Sequence, residues 1–222
     1  MKKYFEILKQ SALFEEISEP ELTELVACVQ ATATQYNAGN AIFLAGEKPE
    51  FVGIVLKGEA SVVEEDFFGN RNILAHITQG ELFGETFACA EVQALPVSVF
   101  AVSDCEILKL DFARIISDSN KACGFHHRLV YNMLKILAQK NLLLNRKARL
   151  LAKRTMREKL LSFLSEQAKK AGRNDFTIPF NRQALADFLS VDRSALSAEL
   201  CRMRDDGLLA FHKNKFVLKE SK

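Results

Sequence analysis

Residues 180–209 read FNRQALADFLSVDRSALSAELCRMRDDGLL. Asn181 is placed to cap a first helix, in which Ala184, Leu185, Phe188 and Leu189 recur at helical spacing. Ser190 and Val191 make a short turn. Asp192 caps a second helix, with Leu196, Leu200 and Met203 as its buried stripe and Gly207 as its stop. Arg193, Ser194 and Ser197 open the outward face of that second helix. Side chains of these types hydrogen-bond to base edges and phosphates in a DNA groove. Taken alone, the segment also fits an ordinary helical hairpin.

Charge separates the two readings. Residues 1–120 carry 8 Lys+Arg against 19 Asp+Glu, and residues 121–222 carry 22 against 9, so a net of −11 faces a net of +13 within an overall +2. The basic half supplies the cations that neutralise duplex phosphates, which is where much DNA affinity originates.

The 222 residues are 48% hydrophobic, enough for one large or two modest cores. No apolar run approaches the roughly 20 residues of a membrane span, and the start MKKYFEILKQ lacks the apolar core of a secretory signal. Cys28, Cys89, Cys105, Cys123 and Cys201 are scattered and odd in number. That pattern suits a reducing cytoplasm better than a disulfide scaffold.

Three parts are expected: residues 1–118, 119–151 and 152–222. In the first, Ser18 and Glu21 form a capping box before Leu22, Leu25 and Val26. Short apolar runs follow at 41–45, 51–56, 60–63, 73–77, 96–102 and 106–110, punctuated by Gly39, Gly46, Gly58, Gly69-Asn70 and Gly80. Short strands at this spacing predict a small antiparallel barrel or sandwich, and such barrels commonly hold a ligand.

The second part is a helix from about Asn120 to Ala148. One stripe is Leu129, Met133, Ile136 and Leu143. Another alternates steps of four and three through Cys123, His127, Val130, Leu134, Leu137, Asn141, Leu144, Ala148 and Leu151, a heptad seam. One face is expected to cover the barrel and the other to meet a second copy of the chain. Asn141 falls where a polar residue fixes register in a two-stranded seam. A monomeric helix with Asn141 facing water remains the alternative.

In the third part, Thr155 and Glu158 cap a helix that Gly172 closes. Residues 176–180 predict a strand that Pro179 confines to a sheet edge. Residues 208–211 and 215–218 flank His212-Lys213-Asn214 as a hairpin, with Lys213 and Lys215 available to phosphates.

Barrel, long helix and winged helix-turn-helix together resemble the Crp/Fnr family of bacterial transcription regulators, an α+β architecture with a double-stranded β-helix (jelly-roll-like) N-terminal domain. The likeness is carried by NRQALADFLSVDRSALSAEL (181–200), GELFGETFACA (80–90) and FVGIVLKGEASV (51–62). It implies a homodimeric sensor on a pseudo-palindromic operator, with RNA polymerase as a further partner. A small molecule or redox event in the barrel would reorient the DNA-binding domains. By the same resemblance, Arg182 and Gln183 sit where the family contacts the DNA backbone, and Arg193 where members place an arginine on guanine. Ser194 replaces a common glutamate, Ala198 a common arginine and Ser190 a frequent glycine, so a different operator is expected.

The effector pocket is expected around Gly84, Glu85, Thr86, Leu95 and Pro96, with Met133 from the long helix. Cyclic-nucleotide binders of the family place Arg-Ser or Arg-Thr about eleven residues after the loop's Gly-Glu. Here Leu95-Pro96 stands there, and no arginine lies between Arg71 and Arg114. A cyclic phosphate buried without a cation is costly, which argues against cyclic AMP. The sequence names no cofactor. Only Cys28 precedes Cys89, against an iron–sulfur pattern of the family's kind. Whether Cys89, Cys105, Cys123, His126 or His127 sense anything stays open at this level. No metal site is expected, and no catalytic motif appears; the barrel half holds His76 alone. The rival to a DNA-binding regulator is a ligand-binding regulatory protein acting on a protein partner.

Overall fold

Helix α1 (Phe5–Gln10), a 3-10 turn (Ala12–Phe14) and helix α2 (Glu19–Cys28) open the computed structural model, which describes residues 4–116 and 126–219. Asn120, the anticipated start of the long helix, and Cys123 lie outside the described residues. The chain divides into two units, Met1–Gln139 and Lys140–Lys222.

In the first unit α2 begins as its capping box predicts: the Ser18 N–H and hydroxyl donate to Glu21 Oε2 at 2.8 and 2.6 Å. The strands are β1 (Thr32–Tyr36), β2 (Ala41–Phe43), β3 (Phe51–Lys57), β4 (Ala60–Glu65), β5 (Arg71–Ile77), β6 (Leu82–Phe83), β7 (Ser98–Ala101) and β8 (Cys105–Asp111). Helix α3 (Glu85–Cys89) follows β6, and α4 (Phe112–Ile116) follows β8. The strands pair antiparallel in two four-stranded sheets, β1-β8-β3-β6 and β2-β7-β4-β5. This is the expected double-sheet, jelly-roll-like domain.

Successive strand residues point to opposite faces, and β3 and β8 use both. Val55 and Ile107 join an inner cluster with Phe43, Phe83, Leu95 and Val99. Val52, Ile54, Leu56, Leu108 and Leu110 join a second cluster with α1, α2 and Leu129, Met133 and Ile136 of α5 (His126–Leu151).

The second unit takes the end of α5, then α6 (Met156–Ala171), β9 (Asp175–Thr177), α7 (Arg182–Leu189), α8 (Arg193–Asp205), β10 (Leu209–His212) and β11 (Lys215–Leu218). The sheet order β10-β11-β9 makes β9 an edge strand, and Pro179 lies beyond its end. Leu160, Phe163 and Leu164 of α6 pack with Leu185, Leu196, Leu200 and Phe216 in one core.

Several expectations need correction. The run 96–102 starts as a strand only at Ser98, because Leu95 is held earlier by a Leu95 N–H to Glu47 O bond of 2.8 Å. The strand at 176–180 shortens to β9, and His212 belongs to β10, leaving a two-residue turn. Leu129, Met133 and Ile136 are buried, but Leu143 is 62% exposed and cannot extend their stripe as a core residue. Val130 and Leu137 are half-buried against the second cluster, so the exposed seam positions among the described residues are His127, Leu134, Asn141, Leu144 and Ala148.

Candidate functional site

Local capping builds the α7–α8 pair. Asn181 Oδ1 accepts from the Ala184 N–H at 2.9 Å, and Asp192 Oδ1 from the Ala195 N–H at 2.8 Å. Between them Ser190 adopts φ +52°, the left-handed conformation in which a side chain is disfavoured. The hydrophobic stripe of α8 (Leu196, Leu200, Met203) is fully buried. Its opposite face is therefore free at its N-terminal end, where Arg193 and Ser194 are exposed.

Arg182, Gln183, Arg193 and Lys213 line one concavity of about 670 Å³, with Asn181 and Asn214. Three cations and several amides thus converge beside the start of α8. Arg193 makes no ion pair among the described residues. Arg182 is half-buried, its guanidinium stacked 4.8 Å from the Phe211 ring and 5.3 Å from Phe216. Burial holds its pKa below the ordinary guanidinium value. Arg182 therefore also braces the hairpin. The Gln183 amide donates to Asp187 at 2.8 Å, and the Ser197 hydroxyl donates back to Arg193 O at 3.0 Å. Ser197 keeps acceptor capacity only. Lys215 is exposed on β11, outside that lining.

Arg157 was invisible to sequence reasoning. It donates to Glu199 at 2.6 Å and pairs with Asp206 at 2.7 Å, tying α6 to the middle and end of α8. The hydrogen bond to Glu199, then that to Asp206, raises its pKa. A partner 42 residues away leaves no periodic signal.

In the first unit Gly84 takes φ +81° at the head of α3. A Cβ there would come 2.9 Å from the Phe43 ring, which stacks on Phe51 at 4.4 Å. Glu85 is 2% exposed and accepts from the Thr86 hydroxyl at 3.1 Å. Thr86 and Pro96 are exposed, while Leu95 is buried in the inner cluster. Met133 does not join them. It lies in the second cluster, across the β1-β8-β3-β6 sheet from Leu95, because alternation on β3 and β8 divides the apolar side chains between two faces.

Cys89 and Cys105 are likewise not gathered. Cys105 is buried in the inner cluster, and Cys89 packs on the second. Burial raises the pKa of both thiols, with Glu85 adding to Cys89 and Asp104 to Cys105. His126 is half-buried and His127 exposed. Among the described residues no group of three or more His, Cys, Asp or Glu is placed to hold a metal ion. No helix among them is long and apolar enough to cross a membrane.

Residues 33–117 match the model of the cyclic nucleotide-binding domain, and residues 158–221 that of the Crp-like helix-turn-helix domain. The chain is 26% identical over 203 residues to the nitrogen fixation regulation protein FixK of Azorhizobium caulinodans, covering 87% of this chain and 77% of that protein. It is 24% identical over 195 residues to the transcriptional activator protein FnrL of Cereibacter sphaeroides, covering 82% and 74%. The crystal structure of DNR from Pseudomonas aeruginosa shares the fold at a TM-score of 0.52 and 18% identity, over 99% of this chain and 95% of that one. The two matched domains, in this order and on this architecture, make the chain a member of the Crp/Fnr family: a DNA-binding transcription regulator with an N-terminal effector-binding domain.

Proposed function

We propose that the protein is a cytoplasmic homodimer that reads a pseudo-palindromic operator through Arg193, Ser194 and Ser197, with Arg182, Gln183, Lys213 and Lys215 on flanking phosphates. The observation that carries this is the convergence of Arg182, Gln183, Arg193 and Lys213 on one open concavity beside the exposed start of α8. Arginine in that position reads guanine bidentately, while lysines contribute charge without sequence information. Dimerisation is supported by Tyr131, Leu134, Leu142, Leu143 and Leu144, large apolar side chains left exposed along α5. A helix surface of this kind is normally covered by a partner.

The barrel's effector is a ligand other than cyclic AMP. Where cyclic-nucleotide binders hold an arginine, Leu95 is packed among Phe43, Phe83 and Val99. A cyclic phosphate at Leu95 would meet hydrocarbon in place of that arginine, and Glu85 is buried at the head of α3. RNA polymerase is the expected protein partner at a promoter.

Selection of bound sequences from random duplex DNA, with sedimentation of the complex, tests the reading. Two half-sites about 10 base pairs apart, bound by two chains, are expected. Salt-independent or absent DNA binding defeats it. Calorimetry with cyclic AMP should record no binding.

A further inference from the structure

The second unit carries more positive charge than its α8 face uses. Arg146 and Arg149 of α5, Lys153 just beyond it, and Ser162, Ser165 and Lys169 of α6 surround a hollow of about 350 Å³. We propose that this hollow binds a free oligophosphate, such as the phosphate chain of a nucleotide.

Helix periodicity separates it from the base-reading surface. Leu160, Phe163, Leu164 and Ala168 of α6 face the core that holds Leu196 and Leu200 of α8. Ser162, Ser165 and Lys169, spaced by three and four, form a stripe on the other side. A helix with its side chains is about 10 Å across, so α6 stands between α8 and the hollow. The hollow shares no lining residue with the concavity around Arg193.

The charge balance indicates the ligand. Glu166 also lines the hollow, but Lys170 at 3.1 Å and Arg146 at 3.9 Å compensate it. Arg149, Lys153 and Lys169 make no ion pair among the described residues. Three like charges around one hollow repel each other, and an anion converts that repulsion into attraction. A single carboxylate neutralises one of them; a chain of phosphates meets all three. The Ser162 and Ser165 hydroxyls add neutral donors, the mixture that phosphate oxygens accept. Bound there, an oligophosphate bridges the end of α5 to α6 and stiffens the corner at Thr155. The proposal is independent of the barrel's ligand and of how α8 reads DNA.

Isothermal titration of sodium tripolyphosphate into the full-length, DNA-free protein at low salt tests it. A dissociation constant in the micromolar to low millimolar range is expected, weakened about tenfold or more in Arg149→Gln/Lys153→Gln and unchanged in Arg193→Ala. All these side chains are exposed, so each variant should melt like the parent. No heat at about 10 mM ligand, or equal affinity in the double variant, overturns the assignment. A DNA salt dependence shallower by about two in the double variant would put duplex phosphates in the hollow and overturn it as well.

Discussion

The side-chain amide of Asn132, only 3% exposed, donates to the backbone carbonyl of Leu13 at 3.0 Å, across 119 residues of sequence. The same nitrogen donates to Glu15 O at 2.9 Å. The turn after α1 is thereby fastened to α5, with ion pairs of Glu15 to Lys135 and Glu16 to Arg128 around it. Replacing Asn132 by Ala leaves two carbonyls short of a donor. A loss of about 1–3 kcal/mol is expected, measured by urea unfolding of the full chain.

Arg193→Ala should relax discrimination at one operator base pair by about 1–3 kcal/mol while the oligomeric state is kept. Binding titrations across a set of single-base operator variants give the answer. An unchanged base preference means that α8 enters the groove in another register.

Ser190 separates α7 from α8 at φ +52°. Glycine takes this conformation without the side-chain clash, though its unfolded chain is freer. Ser190→Gly should therefore raise the stability of the second unit by about 0.5–1 kcal/mol. A lowered melting temperature would show that the hydroxyl has a role beyond the turn.

Burial favours the neutral thiol of Cys105, so its folded pKa lies above its unfolded one. A raised value contributes stability that is complete below the unfolded pKa, about 8.5, and disappears as pH climbs through the folded value. Unfolding midpoints should fall in the alkaline range. Cys105→Ser should flatten that fall, with the hydroxyl donating to Ser103 O, now 3.2 Å from the sulfur. Alkylation at pH 8 should label exposed Cys28 well before Cys105.

Asn141→Leu should keep or increase dimer stability while loosening register or oligomer state. Leu134→Glu, at an exposed apolar position of the same helix, should shift the dimer towards monomer. Sedimentation equilibrium distinguishes the outcomes; a monomeric parent protein would remove the seam altogether.

Legibility in the sequence tracked the range of the interaction. Asn181, Asp192, Thr155 and Ser18 each announce a helix start within four residues, and all four starts are found. β1 escaped because TATQY shows no apolar alternation; its order comes from pairing with β8, more than 65 residues later by the Gln35–Glu106 register. Periodicity shows that Met133 is buried and not which of two cores receives it. Asn132 and Arg157 gave no signal, since both act on partners far along the chain. The residues proposed to face DNA rest on charge and helix phase, both of which are local. The barrel's ligand was not, because an apolar interior has no chemical signature of its own.

Strands β3 and β8 are a shared wall. Val55 and Ile107 pack in the inner cluster, while Ile54 and Leu108, one residue along, pack on the side that holds Leu129 and Met133. A guest that swells the interior by even a methyl group cannot be absorbed by a close-packed layer. Its push must emerge on the far side as a sideways shove on α5.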